Sequence, residues 1–490
     1  MTSSWRPTFR ILGMALMAVG ITMVPAFVVS MISSEYSVAL TFIVLAAAVF
    51  FLGLGLFRCF HPLRGVVERV HIADGLLIVT LCWLAASIAG ALPYLLVHVT
   101  DDPVSAFFES CSGFTTTGAT ALLAINHLPK GILFWRSMTC WTGGIGILVF
   151  GIALMPALGL NGQRLTAAES HGPILDKITP NMISTFRVIA LVYLGMTLIE
   201  TILLTLGGMT LFNGLLHSMS TVSTGGFSRY DNSIGHFDST YIRIVILSFM
   251  ILSGMNFTLY INLVRHGIRA LTLNTELKLY GLLLVGGSLV ITIVLGWSGT
   301  YDATPQTVSC SVFQTVSVLT TTGFTTTDYH LWPTFCYMIL LLLMFTGACS
   351  SSPGGGIKVV RLAIVLKLIR HGLSKRLHSS FFEDIKLNHQ GMPGDKVSGA
   401  VTVPFLYLTA LFSGALLLTL MGNDLPSAFS AGLSCLCNTG AGFGGIGPSS
   451  LYTSFNGLSK LVLSGLMIGG RLELYALIVL VIPKYWTKDY

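Results

Sequence analysis

Charge is what this sequence has least of. Asp, Glu, Lys and Arg together make up 10% of the 490 residues, against about 25% in a soluble globular domain. Hydrophobic residues reach 53%, and the mean hydropathy is +0.79. That balance excludes a soluble protein and predicts an all-α polytopic membrane protein. Cysteines are few and unpatterned: the nine (59, 82, 111, 140, 310, 336, 349, 435 and 437) lack metal-ligand spacing and fall mostly in apolar runs, as small buried hydrophobes do. No HExxH or GxSxG signature occurs, and the histidines (His61, His71, His98, His127, His171, His217 and others) are scattered, so an enzyme is not expected. The first apolar stretch, Ile11 to Met31, has no small-residue cleavage site and reads as a retained helix.

What the chain does have is one short stretch written four times. The copies are Ser112 to Gly118, Ser220 to Gly225 (reaching Gly226), Ser317 to Gly323, and Ser434 to Gly440. Aligned on Gly118, Gly225, Gly323 and Gly440, every copy has threonine immediately before the glycine: Thr117, Thr224, Thr322 and Thr439. Upstream, three copies carry Phe107/Phe108, Phe313 and Phe429, where the second has Leu215. The glycines are 107, 98 and 117 residues apart, a repeat of whole units rather than a solenoid. Each copy follows an apolar run of about ten residues, too short to cross a bilayer, between segments long enough to do so. Helix, half-helix, Thr-Gly loop and helix is the pattern of a pore loop. Glycine tolerates φ > 0 and adds no side chain, so backbone carbonyls can replace the water around a cation.

Candidate spans are 9–32, 38–57, 73–98, 131–158, 184–206, 240–264, 277–297, 334–370 (interrupted), 399–421 and 457–482. They divide into an N-terminal two-helix hairpin (1–70) and four units: 71–160, 175–270, 275–375 and 395–490. With the N-terminus inside, 21 of the 27 Lys and Arg residues fall on the inner side, among them Arg58, Arg64, Arg69, Arg164, Lys177, Arg265, Arg269 and the cluster Arg361, Lys367, Arg370, Lys375, Arg376 and Lys386. Both termini are then cytoplasmic and the four loops open outward. The net charge of +7 is a matter of topology, and no nucleic-acid partner is expected. Acids predominate outside: Glu35, Asp101, Asp102, Glu109, Asp231, Asp238, Asp302, Asp328 and Asp424, which favours cations at the mouth.

The eighth span is broken by Ala348-Cys-Ser-Ser-Ser-Pro-Gly-Gly-Gly356 before Ile357 and Lys358 resume it. Three serines, a proline and three glycines do not continue a helix, and irregular backbone at membrane depth belongs beside a cavity. A phosphate loop would need a preceding strand and a following Gly-Lys-Ser/Thr, both missing. A passive kink and a mobile gate below the pore loops are the remaining readings, and the gate is preferred. Its candidate residues are Cys349, Ser350, Ser351, Ser352, Pro353, Gly354, Gly355, Gly356 and Lys358. Arg471, near the middle of the last span, faces either a cavity or an ion-pair partner; Glu473 is too close in sequence to share its face well, and the cavity is preferred. Small-residue sets (Gly143-Gly144-Ile-Gly146, Ser253-Gly254-Met-Asn256, Gly469-Gly470) allow the helices after each loop to approach closely.

The run Glu109 to Thr120, Leu128-Pro-Lys-Gly-Ile-Leu-Phe-Trp-Arg136, Gly225-Gly-Phe-Ser228 with Ser233-Ile-Gly-His-Phe237, the Ser350–Lys358 loop and Gly470-Arg-Leu-Glu-Leu474 together resemble the Trk/Ktr/HKT superfamily of potassium transporters, in particular its bacterial Trk-type uptake subunits. The resemblance runs nearly end to end. It implies ten transmembrane helices: four pseudo-fourfold units of helix, pore loop and helix around one pore, plus the hairpin, in a homodimer. It also implies the bacterial inner membrane and a cytosolic nucleotide-binding regulatory subunit of the RCK/KTN (TrkA-like) type. K⁺ is then the transported ion, with no covalently bound cofactor. The implied filter is Thr116, Thr117, Gly118, Ser223, Thr224, Gly225, Thr321, Thr322, Gly323, Asn438, Thr439 and Gly440, with Cys349–Lys358 and Arg471 as the gate. Four glycines favour potassium, since relatives that pass sodium can carry serine at the first. Cys435 and Cys437 before the fourth filter, and Ser351-Ser352-Pro353 where Gly-Ser-Thr-like residues are expected, depart from the pattern. Symport with H⁺ or Na⁺, channel-like conduction, and a sodium or low-selectivity pathway all stay open at this stage. Glu109 is either a proton candidate or a brace for the pore helix, and Arg361–Lys396 is the candidate docking segment for the regulator.

Overall fold

In a bilayer every backbone polar group must find its partner within the protein, so an apolar chain of this kind folds as helices. The computed structural model describes residues 5–60, 72–153, 182–301, 304–377, 386–388, 390–391, 394–447 and 452–474. Two helices, α1 (Trp5–Ile32) and α2 (Tyr36–Cys59), form the expected hairpin. Small residues let them touch: a Cβ at Gly20 would stand 2.8 Å from the Ala46 carbonyl oxygen, and one at Gly13 would stand 2.8 Å from the Phe57 nitrogen.

One order of elements then recurs. A long helix, α3 (Ile72–Leu96), precedes the short α4 (Pro103–Phe114), a loop and α5 (Lys130–Ala153). Next come α6 (Met182–Leu206), the short α7 (Leu211–Val222), a loop, α8 (Thr240–Gly254), α9 (Phe257–His266) and the connecting turn α10 (Arg269–Thr272). The third set is α11 (Thr275–Ser298), α12 (Thr304–Leu319), α13 (Thr334–Thr346) and α14 (Val359–Leu377), and the fourth is α15 (Gly394–Leu420), α16 (Leu425–Leu436) and α17 (Gly457–Arg471). Between α14 and α15, β1 (Lys386–Leu387) pairs antiparallel with β2 (Gln390–Gly391). Among the described residues, α1, α2, α3, α6, α11 and α15 are long and apolar enough to cross a membrane, or seven spans if α8 and α9 count as one.

Two expected spans differ in shape. The 240–264 stretch is bent by 88° where α8 meets α9, because Asn256 starts a new helix there: its Oδ1 accepts the Thr258 amide at 2.9 Å. The last span, expected to run to 482, ends as a helix at Arg471, and Glu473 and Leu474 follow with φ of 55° and 63°. Residues 475–482, and with them Arg64, Arg69, Arg164 and Lys177, lie outside the described residues.

Caps explain where the short helices begin. The Asp102 carboxylate accepts the Val104 and Ser105 amides at 3.1 Å each, the Thr210 hydroxyl accepts the Asn213 amide at 3.3 Å, and Asp424 accepts the Ser427 amide at 3.0 Å. The short helices aim their C-termini at one another through three apolar cores. The largest spans α6, α8, α11, α13 and α15; a second joins the hairpin to α3, α4 and α5; the third packs α3 and α4 against α16 and α17, joining the first set to the last.

Candidate functional site

Each short helix ends the same way. An amide five residues beyond a serine reaches back to that serine's carbonyl: Thr117 to Ser112 at 2.8 Å, Gly225 to Ser220 at 2.8 Å, Thr322 to Ser317 at 2.9 Å and Thr439 to Ser434 at 2.9 Å. The turn puts Thr116, Thr224, Thr321 and Asn438 in the left-handed region at φ of 53°, 54°, 56° and 53°, where three β-branched residues are strained. Two residues later come glycines with φ of 77° (Gly118), 65° (Gly226), 80° (Gly323) and 76° (Gly440). The equivalent triplets are therefore Thr116-Thr117-Gly118, Thr224-Gly225-Gly226, Thr321-Thr322-Gly323 and Asn438-Thr439-Gly440. This corrects the second triplet, expected as Ser223-Thr224-Gly225. Gly226 takes the glycine position, Gly225 stands where the others have threonine, and Ser223 falls one residue outside.

The loops close on each other in order. A Cβ at Gly118 would sit on the Gly225 carbonyl oxygen, one at Gly226 on that of Thr322, one at Gly323 on that of Thr439, and one at Gly440 on that of Thr117. Only glycine permits contact this close. The ring is fastened by side chains as well: Asn438 Nδ2 donates to Thr117 Oγ1 at 3.0 Å, and the Tyr452 and Tyr329 hydroxyls donate to the Gly440 and Gly442 carbonyls at 3.1 and 2.9 Å. Gly118, Gly226, Gly323 and Gly440 all line one cavity at the loop end of the bundle. Among the described residues no group of three His, Cys, Asp or Glu side chains could hold a metal, so any ion here meets backbone and hydroxyl oxygen.

The acids expected to make that mouth negative are mostly engaged elsewhere. Glu109, fully buried, pairs with Arg136 Nε at 2.8 Å and accepts from Thr120 Oγ1 and the Ala121 amide, both at 2.9 Å. Arg136 also donates to the Ser228 carbonyl at 3.2 Å and lies 4.2 Å over the Phe227 ring. These contacts tie Glu109 on α4 to Arg136 on α5. Glu35 accepts the Lys130 and Gly131 amides that open α5, and Asp328 accepts the His330 amide. Asp231 does line the cavity, where it accepts the Ile125 amide at 3.1 Å. Asp302 lies outside the described residues.

On the other side of the ring lies the 347–358 segment. Its left-handed positions are Gly347, Ser351, Gly356 and Lys358 (φ 72°, 53°, 75° and 84°). The Gly355 amide donates to Thr321 Oγ1 at 2.7 Å, and a Cβ at Gly355 would sit on the Cys437 carbonyl oxygen. Glu276, at the start of α11, accepts the Ser350 amide at 2.5 Å and the Ser350 hydroxyl at 2.8 Å. Cys349 N donates to the Gly254 carbonyl at 3.0 Å and Phe257 N to that of Ser351 at 3.2 Å, which ties the segment to the break between α8 and α9. Ser352 donates to the Cys349 carbonyl at 2.6 Å. Lys358 Nζ donates to the Gly354 carbonyl, and Arg471 donates to the carbonyls of Pro353 and, at 3.5 Å, Gly143. Both cations are buried. Glu473, set aside as a partner for Arg471 on sequence spacing, pairs with Arg361 at 2.5 Å. Arg361 is accordingly buried and is removed from the expected docking cluster.

Sequence reasoning did not find Arg136 as the partner of Glu109, or Tyr329 and Tyr452 behind the ring. Their signal is indirect, a cation or phenol within an apolar run.

A ring of backbone-lined loops inside an apolar helical bundle is the architecture of a membrane transport protein. The chain belongs to the TrkH family of cation transport proteins, whose family model matches residues 42–488. It is 35% identical over 498 residues to the Trk system potassium uptake protein TrkH of Vibrio parahaemolyticus, covering 99% of this chain and all of that one. It is 35% identical to the protein of the same name from Salmonella typhimurium (87% of this chain, 89% of the relative) and 32% identical to the Trk system potassium uptake protein TrkG of Escherichia coli (99% and 100%). The crystal structure of the potassium transporter TrkH from Vibrio parahaemolyticus superimposes with a TM-score of 0.87 at 31% identity, over 99% of this chain and 100% of that one. These relatives are transporters rather than enzymes, and with six long apolar helices among the described residues this is a multi-pass membrane protein.

Proposed function

We propose that this protein takes up K⁺ through the ring of four loops. The observation that supports this best is the head-to-tail closure, in which each of four glycines rests on the carbonyl of the next loop. Carbonyls at Thr117, Gly225, Thr322 and Thr439, with those of the flanking Thr116, Thr224, Thr321, Asn438 and the glycines, replace the hydration shell of the ion. The ion enters by the cavity beside Asp231, sheds water at the ring, and meets the 347–358 segment. That segment is the gate: Lys358 and Arg471 place two positive charges in its path and hold the Gly354 and Pro353 carbonyls. A membrane potential supplies roughly 2.3 kcal/mol per charge per 100 mV, enough to concentrate K⁺ about 50-fold with no chemical step.

In this reading the chain has ten spans, built as the hairpin 1–70 and the units 71–160, 175–270, 275–375 and 395–490. Both termini are cytoplasmic in a bacterial inner membrane. It works as a homodimer on a cytosolic nucleotide-binding regulatory subunit, which docks on the basic face of α14 at Lys375 and Arg376. Replacing both with Glu removes co-purification of that subunit; unchanged co-purification removes this docking site. A Na⁺ or low-selectivity pathway, with or without ion coupling, is the alternative. Flux of K⁺, Rb⁺ and Na⁺ into proteoliposomes, wild type beside Gly118→Ser, decides between them. The reading requires K⁺ and Rb⁺ far above Na⁺, with the serine eroding the difference, whereas equal Na⁺ flux in wild type transfers the function to general cation transport.

A further inference from the structure

Glu200, in the C-terminal third of α6, is a fully buried acid that the transport path does not use. Neither of its carboxyl oxygens is paired in a well-formed hydrogen bond among the described residues. Several of the charged and titratable groups on the helices packed around it are engaged elsewhere. On α5, Arg136 is held by Glu109, and Cys140 faces the Gly225 carbonyl at 4.0 Å. On α7, His217 lies between the Asn213 carbonyl and Ser228 Oγ, at 2.8 and 3.2 Å. On α8, Arg243 donates to the Phe237 carbonyl at 3.0 Å. Tyr260 on α9 donates to Leu252, and Tyr193 on α6 itself donates to Trp141.

An ionised carboxylate with neither water nor counter-ion is among the least favourable burials in a protein. The polar group beside it is the Thr221 hydroxyl of α7, whose hydrogen goes to the His217 carbonyl at 2.8 Å. That hydroxyl has lone pairs to accept an O–H and no hydrogen left for a carboxylate. The geometry points to Glu200 as a resident proton site: the carboxyl keeps its proton, aimed at Thr221, and stays neutral in the working protein.

The site adjoins the second loop of the ring. The Thr221 carbonyl accepts the Thr224 amide at 2.9 Å and Ser253 Oγ at 3.2 Å, and the next turn is the strained Thr224 that leads into Gly225 and Gly226. Losing the proton puts a bare charge behind this turn and forces the loop to rearrange. The structural half of the inference needs no transport activity; its coupling to flux rests on the proposed function.

Infrared spectroscopy of the purified full chain at neutral pH, wild type beside Glu200→Gln, tests the site directly. A protonated-carboxyl C=O stretching band that is present in wild type and lost in the variant is expected. Identical spectra mean that Glu200 is ionised and overturn the proposal, whatever the protein transports. If Glu200→Gln does not fold, Thr221→Val replaces it: the band moves to higher frequency as the carboxyl loses its acceptor, and an unmoved band overturns the pairing. In proteoliposomes, K⁺ flux of wild type is lost as both sides are made alkaline, and the Glu200→Gln flux lacks that alkaline fall. Parallel profiles overturn the link from the proton to the second loop.

Discussion

Replacing Gly226 and Gly225 separately with alanine asks the ring a question to which alignment and geometry give opposite answers. Pairing each glycine with its preceding threonine makes Gly225 the critical residue of the second loop. The backbone makes it Gly226, with φ of 65° and the Thr322 carbonyl oxygen where a Cβ would go. Left-handed backbone costs an L-residue about 1–2 kcal/mol. The obstacle is itself a backbone carbonyl, which can yield only by moving the third loop. At Gly225 φ is not in that region, and the atoms a Cβ would meet are Cys140 Sγ and Cβ at 2.7 and 2.8 Å, the side chain of a neighbouring helix. Gly226→Ala is thus expected to lower K⁺ flux by at least about tenfold, the strain alone being worth roughly 5- to 30-fold in the population of the native loop. It should also reduce the K⁺ to Na⁺ ratio with little change in thermal midpoint. Gly225→Ala is expected to lower the thermal midpoint through Cys140 and to disturb selectivity less. The assay is flux of both ions into proteoliposomes, with each variant's melting followed in detergent. Full K⁺ selectivity in Gly226→Ala, together with its collapse in Gly225→Ala, would refute the register.

Three further perturbations address the supports. Arg471→Ala removes the donor that holds the Pro353 and Gly143 carbonyls; a hydrogen bond from a charged group contributes about 1.5–3 kcal/mol. K⁺ flux without any cytosolic partner should therefore rise by about 10- to 150-fold, and unchanged basal flux counts against a gate at 347–358. Glu109→Gln leaves Arg136 buried without its counter-charge, which costs on the order of 3–5 kcal/mol; a thermal midpoint equal to wild type excludes the pair as the brace of α4. Asp102→Ala removes the cap of α4 for about 1 kcal/mol. The hydrogen bond from the Ser105 hydroxyl, with those from the Val104 and Ser105 amides, outweighs the opposing effect of burial and holds the Asp102 carboxyl below the usual carboxylate range. The capping contribution is therefore present above the unfolded pKa and lost as pH falls toward the lower folded one. The stability gap between wild type and Asp102→Ala should close on acidification, and a gap that widens contradicts the cap.

Much of this was legible because the constraints are local. Hydrophobic run length pointed to the long helices, and a recurring serine followed by a threonine–glycine pair pointed to the four loops. Both signals for the second loop were in the sequence. Threonine before glycine favoured Gly225, while Ser220 stands six residues before Gly226, as Ser112 does before Gly118. The hydrogen bond back to the serine carbonyl decides the register, and the serine spacing follows from it. The bend between Gly254 and Phe257 was less visible, because beside the local Asn256 cap it is held by an amide–carbonyl bond from Phe257 to Ser351, almost a hundred residues away. The partners of Glu109, Arg361 and Arg471 are equally distant in sequence, and the burial that makes them matter is created only by packing. The negative mouth was inferred from acids counted on one side. In the structure several of those carboxylates (Glu35, Asp102, Asp328 and Asp424) cap helix ends, a local role that a charge count does not register.

The order in which the loops lean makes the ring resemble an arch whose stones bear on one another in sequence, first on second, second on third, third on fourth, fourth on first. Besides its own anchoring each loop bears on the next, so damage travels to the neighbour it touches before it reaches the loop across the axis. Substitutions in adjacent loops should accordingly combine non-additively, and those in facing loops should nearly add. Because one chain supplies all four loops, each can be altered alone, and the order of coupling around the circle can be read one stone at a time.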